Sequence, residues 1–282
     1  MIGHGSREEP GNKEFLDFCE AARPHLGPER VESCFIELTE PLVPESLDRC
    51  VTLGAGRVIV LPVILTAAGH VKVELPHELD QAKARHPGVE FVYGRHIGLH
   101  PLILEIVEER LAEAEVRWPG AQEETAVLVV GRGSSDPDAN SDLYKAARLL
   151  WEGWGAGGGA GDKTKRYPWV EVCFVGITGP SLPDGLARCA ALGARRILAV
   201  PYFLFTGVLI PRIHRLAAEF QSADPRMEVR VADYFNGHPN LFKILSERKA
   251  EAMQGEARMN CALCKYRVRL PGHAADLHGG SV

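Results

Sequence analysis

The sequence predicts an α/β protein of two tandem repeated lobes, each a parallel sheet flanked by helices, facing each other across a cleft. The first observation is an order of short apolar runs alternating with segments of helical spacing, which implies a doubly wound parallel sheet. The second is an internal repeat: "GHGS" near the N-terminus returns as "GRGS" 128 residues later. The repeat predicts a first lobe over residues 1–120, a second over 121–255 and a tail over 256–282.

The elements of the first half follow from its apolar patterning. "VESCFIEL", "RVIVLPVIL" and "VEFVY" are nearly continuous apolar runs, typical of strands covered on both faces. "PESLDRCVTLGA" and "HPLILEIVEERLAEAE" have helical spacing, and Pro101 suits the start of a helix. Only Met1 and Ile2 precede the first turn, so we expect the natural polypeptide to begin several residues earlier.

The second half repeats this order. "TAVLVV", "WVEVCFVGI", "RRILAVPYFLF" and "MEVRVADYF" predict its strands, and "CFIELTEP" of the first half corresponds to "CFVGITGP" here. The Gly-rich "GWGAGGGAGDK" is an insertion of the second half. We expect the boundary between the lobes near "RWPGAQEE".

Composition excludes several classes of protein. The 282 residues are 45% hydrophobic and 24% charged, as in ordinary globular proteins, and the net charge of −5 favours neither nucleic acid nor an anionic membrane as partner. No apolar run has the length of a membrane span, and the N-terminus lacks a signal peptide pattern. The seven Cys show no disulfide-framework spacing. These features predict a cytoplasmic protein with reduced thiols.

Candidate site residues follow successive strands of the first half. His4 follows the first strand, Glu37 and Glu40 follow the second, and His70 follows the third. Because parallel strands end at one edge of a sheet, we expect these side chains to converge. Two imidazoles suit a divalent metal such as Co, Ni, Zn or Fe, and they also accept protons near neutral pH. A carboxylate would complete the metal site or take a proton.

The second half lacks all of these groups. Arg132 replaces His4, Leu209 replaces His70, and glycines replace both glutamates. The loss of two histidines from one half favours a shared task over two unrelated structural roles. A turn-capping histidine and solvated loop acids remain the alternatives. The "GHGS" turn lacks the third Gly of a dinucleotide fingerprint and the Lys of a P-loop, which disfavours a nucleotide site.

A CxxC pair, Cys261 and Cys264, lies near the C-terminus. Two thiolates are half of a four-ligand site, so a cluster here would need non-Cys ligands or a second subunit in a homodimer. A redox dithiol and a tail without a ligand are the competing interpretations. The other cysteines recur as symmetric pairs in the repeats, which indicates core positions.

Four segments together resemble the long-form sirohydrochlorin cobaltochelatases, class II chelatases of cobalamin biosynthesis: "GHGSR", "CFIELTEP", "LTAAGHVKVELP" and "MNCALCKYR". The resemblance covers nearly the whole chain. It implies two chelatase-like lobes and insertion of a divalent metal, Co²⁺, into sirohydrochlorin. The first three segments are shared with sirohydrochlorin ferrochelatases, so an iron chelatase for siroheme or a nickel chelatase remains an alternative. The CxxC tail is associated with long cobalt enzymes, some of which carry an iron–sulfur cluster, here a [4Fe–4S] cluster.

The resemblance also implies residue roles. His4 accepts a proton and binds the metal, and His70 is the second metal ligand. Glu37 is added as a catalytic group from its expected convergence with these histidines. The implied substrate contacts are Glu40 and the loop Leu65, Thr66, Ala67, Ala68, Gly69 and His70.

The substrate of this family is a polycarboxylate, although the protein is acidic overall. Basic groups in the cleft loops should therefore bind the substrate carboxylates. The candidates are Arg7, Lys72, Arg132 and Arg212, of which Arg132 is the preferred one. A metal-dependent hydrolase would need more carboxylate ligands than these loops offer. A carrier of tetrapyrrole or metal is the non-enzymatic alternative, and turnover distinguishes it from a chelatase.

Overall fold

The computed structural model describes residues 1–153 and 167–256. Most of the Gly-rich insertion lies outside these ranges, and so do Cys261 and Cys264. The predicted tail over residues 256–282 lies outside these ranges except for Glu256, and the boundary after residue 120 stays a prediction.

The first half contains four short parallel strands: β1 (Ile2–Gly3), β2 (Cys34–Phe35), β3 (Arg57–Val60) and β4 (Glu90–Tyr93). β1 pairs with β2, and β3 pairs with β4. Two hydrogen bonds join the pairs, since the Ile2 amide donates to the Leu61 carbonyl at 2.9 Å and the Val63 amide donates to the Ile2 carbonyl at 2.8 Å. The spatial order is therefore β2-β1-β3-β4.

Helices connect these strands and cover them. They are α1 (Glu9–Ala22), α2 (Val43–Thr52), α3 (Leu75–Arg85) and α4 (Pro101–Arg117). A single π-helical segment, His70–Glu74, leads directly into α3. Segments of this kind are frequent at functional sites, and this one begins at a predicted site histidine.

The second half has the same order. Its strands are β5 (Thr125–Gly131), β6 (Trp169–Phe174), β7 (Arg196–Pro201) and β8 (Glu228–Val231), all parallel in the order β6-β5-β7-β8. Its helices are α5 (Pro137–Trp151), α6 (Leu182–Ala191), α7 (Leu209–Ala223) and α8 (Pro239–Met253). The predicted fold class, tandem α/β repeats with parallel sheets flanked by helices, is confirmed.

Strand β2 is shorter than its apolar run predicts. The run covers residues 31–38, whereas only Cys34 and Phe35 pair. The reason is the partner strand, because β1 spans two residues and offers nothing for the preceding "VES" to pair with. The equivalent strands β5 and β6 pair over six positions.

Aromatic side chains of α1 join the two halves. Phe15 lies edge-on to Phe205 with ring centroids 5.7 Å apart, and Phe18 stacks on Phe242 of α8 at 5.2 Å. Phe15, Phe18 and Phe242 belong to one core cluster that also contains residues of β5 and β7. The burial of these rings fixes the position of α1, and hence of the turn before it, against the second half.

The halves are also joined by a reciprocal pair of histidine caps. His100 accepts a hydrogen bond from the Leu102 amide at the start of α4, and its Nε2 lies 2.9 Å from Glu247 on α8. His238 caps α8 in the same way, with its Nε2 2.7 Å from Glu109 on α4. Each histidine thus caps its own helix and contacts a glutamate of the equivalent helix in the other half, as a pseudo-twofold relation between the repeats predicts. Within the described residues, no helix is both long and apolar enough to cross a membrane.

Candidate metal and active site

The "GHGS" turn directs His4 into the cleft between the halves. Gly5 has φ 92°, and a Cβ at this position would lie 1.9 Å from the Glu37 carbonyl oxygen. Glycine is therefore required both by the backbone angle and by the close approach of the loop after β2. In return, the Glu37 amide donates to the His4 carbonyl at 3.2 Å, which fixes the two loops together.

The serine and the asparagine that recur in both repeats have a structural role. The Ser6 amide donates to Asn12 Oδ1 at 2.8 Å, and the Asn12 side chain returns a hydrogen bond to the Ser6 carbonyl at 2.9 Å. Ser134 and Asn140 make the same two bonds, both at 2.8 Å. The Ser and Asn of the motif thus brace the turn, and the residue between the glycines is free to carry the chemistry.

Three side chains of the first half form a group that could hold a metal ion. Glu37 Oε1 lies 3.7 Å from His4 Nε2 and 3.8 Å from His70 Nε2. One ligand atom from each residue lies within 4.8 Å of the other two, and the described residues contain no other such group of three or more. The imidazole rings are perpendicular, with centroids 4.8 Å apart. Two imidazoles and a carboxylate suit Co, Ni, Zn or Fe.

Hydrogen bonds determine which ring nitrogens face the metal position. His4 Nδ1 lies 3.1 Å from the Gly5 carbonyl, which only accepts, so Nδ1 carries the proton and Nε2 the lone pair. His70 Nδ1 lies 2.7 Å from Glu74 Oε2, which leaves its Nε2 lone pair toward Glu37 in the same way. A carboxylate behind a metal-binding imidazole orients the ring and makes it a better ligand.

Arg132 reaches this group from the second half. Its Nη1 lies 3.2 Å from His4 Nε2 and can only donate there. The pKa of His4 is lowered, mainly by burial and further by the positive charge of Arg132 and by His70, against the opposing influence of the Gly5 carbonyl and Glu37. His4 is therefore neutral at neutral pH and available as a ligand or a base.

The cleft beside this group has a volume of about 960 Å³ and is lined by both halves. This volume lies at the upper end of the range for small-molecule sites. Three apolar side chains on the lining are unusually exposed: Leu38 (49%), Val208 (59%) and Ile177 (60%). They form apolar surface on both sides of the opening.

The other predicted residues divide between the cleft and its surroundings. Leu65, Thr66, Ala68 and Gly69 line the cleft together with His70, as do Arg7 and Arg132. Ala67 instead packs in the interior, with 7% of its surface exposed. Glu40 and Arg212 are solvent-exposed and are not among the lining residues.

Lys72, one of the candidate groups for the substrate carboxylates, is paired with two carboxylates of the protein itself. Its Nζ lies 2.9 Å from Asp136 Oδ2 and 2.8 Å from Asp138 Oδ2, and 6% of its side chain is exposed. Burial alone would lower the pKa of Lys72, but hydrogen bonds to Asp138 and Asp136 raise it above its ordinary value. The ammonium group therefore joins the π-helical segment that carries His70 to the start of α5.

Sequence reasoning missed three residues of this site. Glu74 is four residues after His70, a spacing that places both side chains on one helical face, and this is a detectable signal. Asp136 and Asp138 lie 64 and 66 residues from Lys72, and nothing local in the sequence marks their contact.

Known proteins resemble this chain over nearly its whole length. A family model described as CbiX matches residues 1–114 and 126–252. The chain is 44% identical over 274 residues to a sirohydrochlorin cobaltochelatase of Priestia megaterium, covering 97% of this chain and 85% of the relative. It is 33% identical over 247 residues to a sirohydrochlorin ferrochelatase of the same organism, covering 88% of this chain and 87% of that protein.

A solved structure extends the comparison to three dimensions. SirB from Bacillus subtilis with Fe³⁺ has a TM-score of 0.75 and 29% sequence identity. The match covers 91% of this chain and 96% of that one. Because it spans both halves of this chain, the two halves have a similar relative arrangement in both proteins.

Proposed function

Because the chain belongs to the CbiX family, we propose that it is a sirohydrochlorin cobaltochelatase, a lyase that inserts Co²⁺ into sirohydrochlorin. A relative that is 44% identical over nearly the whole chain carries this name. The observation that supports the proposal most directly is the group of His4, Glu37 and His70 beside a cleft large enough for a flat ligand.

Metal insertion has three requirements that this site can meet. The metal must be held while it loses water, and the Nε2 atoms of His4 and His70 with Glu37 supply three ligands for that purpose. The macrocycle must lose two N–H protons as the dication enters. His4 is neutral, so its Nε2 can accept one of them once the metal has left it. Glu37 is the adjacent carboxylate for the other.

The macrocycle must also be held beside the metal. The apolar side chains Leu38, Ile177 and Val208 suit the faces of a tetrapyrrole, and Leu65–Gly69 forms the adjoining loop. Arg132 and Arg7 line the same cleft and suit its peripheral carboxylates. Glu40 remains a proposed contact from the resemblance alone, because it does not line the cleft.

The asymmetry of the repeats fits this reaction. The second half contributes Arg132, Gly176 and Leu209 where the first half has metal ligands. A flat substrate needs its metal from one face only, and the second half provides the opposite wall. Duplication thus produces a cleft, and one copy of the histidine is enough.

The metal is assigned from the relatives, since Co²⁺, Ni²⁺ and Fe²⁺ accept the same nitrogen and oxygen ligands. The cobalt enzyme is the more similar of the two Priestia megaterium relatives, at 44% against 33% for the iron enzyme. Ferrochelatase activity for siroheme, nickel insertion and a carrier without turnover are the alternatives.

A [4Fe–4S] cluster at Cys261 and Cys264 belongs to the proposal only as the resemblance implies it. The cysteines that the structure describes do not gather into a ligand group. Burial raises the pKa of Cys34, and that of Cys189 to about 12, so these thiols are protonated at neutral pH. No step of the insertion is assigned to a cluster. We place the reaction in the cytoplasm, because free thiols stay reduced there.

The test is insertion under anaerobic conditions with metal-free sirohydrochlorin and Co²⁺, Fe²⁺ or Ni²⁺ in turn. The visible absorbance of the macrocycle reports each product. The proposal predicts that Co²⁺ insertion is accelerated most over the reaction without protein. Greatest acceleration with Fe²⁺ would support the ferrochelatase instead, and tight binding of sirohydrochlorin without acceleration by any metal would support a carrier.

A further inference from the structure

The contact between Arg132 and His4 places a protein cation at one of the three metal ligands. His4 Nδ1 donates to the Gly5 carbonyl, so Nε2 carries the single lone pair through which the ring could bind a metal. Arg132 Nη1 lies 3.2 Å from this atom. A guanidinium has no lone pair to offer, so it uses the lone pair of His4 as an acceptor.

This contact and a bound metal are mutually exclusive. The His4 Nε2 lone pair accepts either a hydrogen bond from Arg132 or the metal. The positive charge of Arg132 also repels an incoming dication at this distance. We propose that Arg132 holds the place of the metal in the free protein and leaves His4 when a carboxylate of the tetrapyrrole binds it.

The position of Arg132 supports such an exchange. Arg132 is solvent-exposed and lines the cleft. Among the described residues, no carboxylate lies within 4.0 Å of its guanidinium nitrogens, the distance that defines an ion pair. A substrate carboxylate can offer two parallel hydrogen bonds to the guanidinium, which is a better partner than one imidazole nitrogen. Substrate binding would then free the His4 lone pair, so the metal and the tetrapyrrole bind with positive coupling. This inference rests on the proposed function and deepens it to an order of binding.

The coupling between metal and tetrapyrrole can be measured by equilibrium binding, without turnover. In the absence of tetrapyrrole, replacing Arg132 by a neutral side chain should strengthen Co²⁺ binding, because the competitor for His4 is gone. The same substitution should weaken binding of the polycarboxylate substrate. Opposite effects on two ligands of one cleft are not expected from a general loss of structure.

The experiment is calorimetric titration of the full-length protein with Co²⁺ alone, for the natural sequence, Arg132→Met and Arg7→Met. Arg7 also lines the cleft, so Arg7→Met removes the same charge without the contact to His4 and is the matched control. We expect Arg132→Met to bind Co²⁺ about fivefold more tightly or better, and Arg7→Met to bind it with nearly the natural affinity. Equal or weaker binding by Arg132→Met would overturn the placeholder, as would equal strengthening by Arg7→Met.

A third variant, His4→Ala, separates failure of the placeholder from failure of the metal site. His4→Ala should lose Co²⁺ affinity if the ligand group is the metal site. If His4→Ala binds Co²⁺ normally, the site assignment and the placeholder both fail. If His4→Ala weakens binding but Arg132→Met leaves it unchanged, the metal site stands and only the placeholder is wrong.

Discussion

His4 and Arg132 occupy the same position in the two repeats, and their side chains meet across the cleft with 3.2 Å between Nε2 and Nη1. The glycines, the serine and the asparagine around them form the same turn in both halves. The duplication therefore preserves a scaffold and places two different side chains toward one point: an imidazole from one half and a guanidinium from the other.

Arg132→Ala should raise KM for sirohydrochlorin more than it lowers kcat. A side chain that binds a peripheral carboxylate acts equally on the bound substrate and on the transition state, so its loss weakens binding without slowing the chemical step. Initial rates at saturating Co²⁺ give both constants. An unchanged KM with a reduced kcat would contradict a substrate-binding role for Arg132.

The rate of insertion should be retained at the ordinary histidine pKa of 6.5 and should fall at lower pH. Burial lowers the pKa of His4, so the neutral ring persists below pH 6.5, and activity is lost only as the pH falls through that lowered pKa. The acidic limb of kcat/KM measures this for the free enzyme.

Arg132→Met provides the matched comparison for the pH profile. Arg132 lowers the pKa of His4, so its removal should raise that pKa and move the acidic limb toward higher pH. The substrate titrates identically in both assays, so the difference belongs to the protein. A limb that moves to lower pH in the variant would exclude this electrostatic role.

Lys72→Met should destabilise the protein by about 3–5 kcal/mol, because it leaves Asp136 and Asp138 without their buried counter-ion. The matched control is Lys13→Met, which breaks an exposed pair with Asp17 and should cost about 0.5 kcal/mol or less. Urea denaturation measures both. Similar small losses for the two variants would show that Lys72 contributes no more than a surface charge.

A chain truncated after Arg258 should retain insertion activity, because the proposed metal ligands His4, Glu37 and His70 all lie in the first half of the chain. The truncation should also remove any brown chromophore from protein purified anaerobically. Cys261→Ser combined with Cys264→Ser tests the thiols in a full-length chain. Loss of activity with an unchanged Tm, or a chromophore that survives truncation, would be evidence against this account of the tail.

The positions of the site loops could be predicted from the sequence because they depend on one topological rule. Alternating apolar runs and helical segments imply parallel strands, and parallel strands bring the loops of His4, Glu37 and His70 to one edge. The geometry of the three side chains agrees with that expectation, whereas their chemical roles await the measurements above.

Other features could not be read from local patterns. Leu38 has φ 70°, a value that a non-Gly residue seldom adopts, and the chain changes direction between Glu37 and Glu40. Glu37 consequently faces the histidines while Glu40 stays in solvent. The burial of Lys72 depends on acidic partners from the other half, which its position beside His70 in sequence does not reveal.

The most direct test of the central claim is the rate of Co²⁺ insertion into sirohydrochlorin by His4→Ala and His70→Ala. His86→Ala is the control, since His86 binds Asp48 on the protein surface and is not among the cleft residues. We predict that each site variant loses most of its activity, about 100-fold or more, with an unchanged circular dichroism spectrum, and that His86→Ala stays active. Near-normal insertion by both site variants would contradict the assignment of the metal and catalytic site.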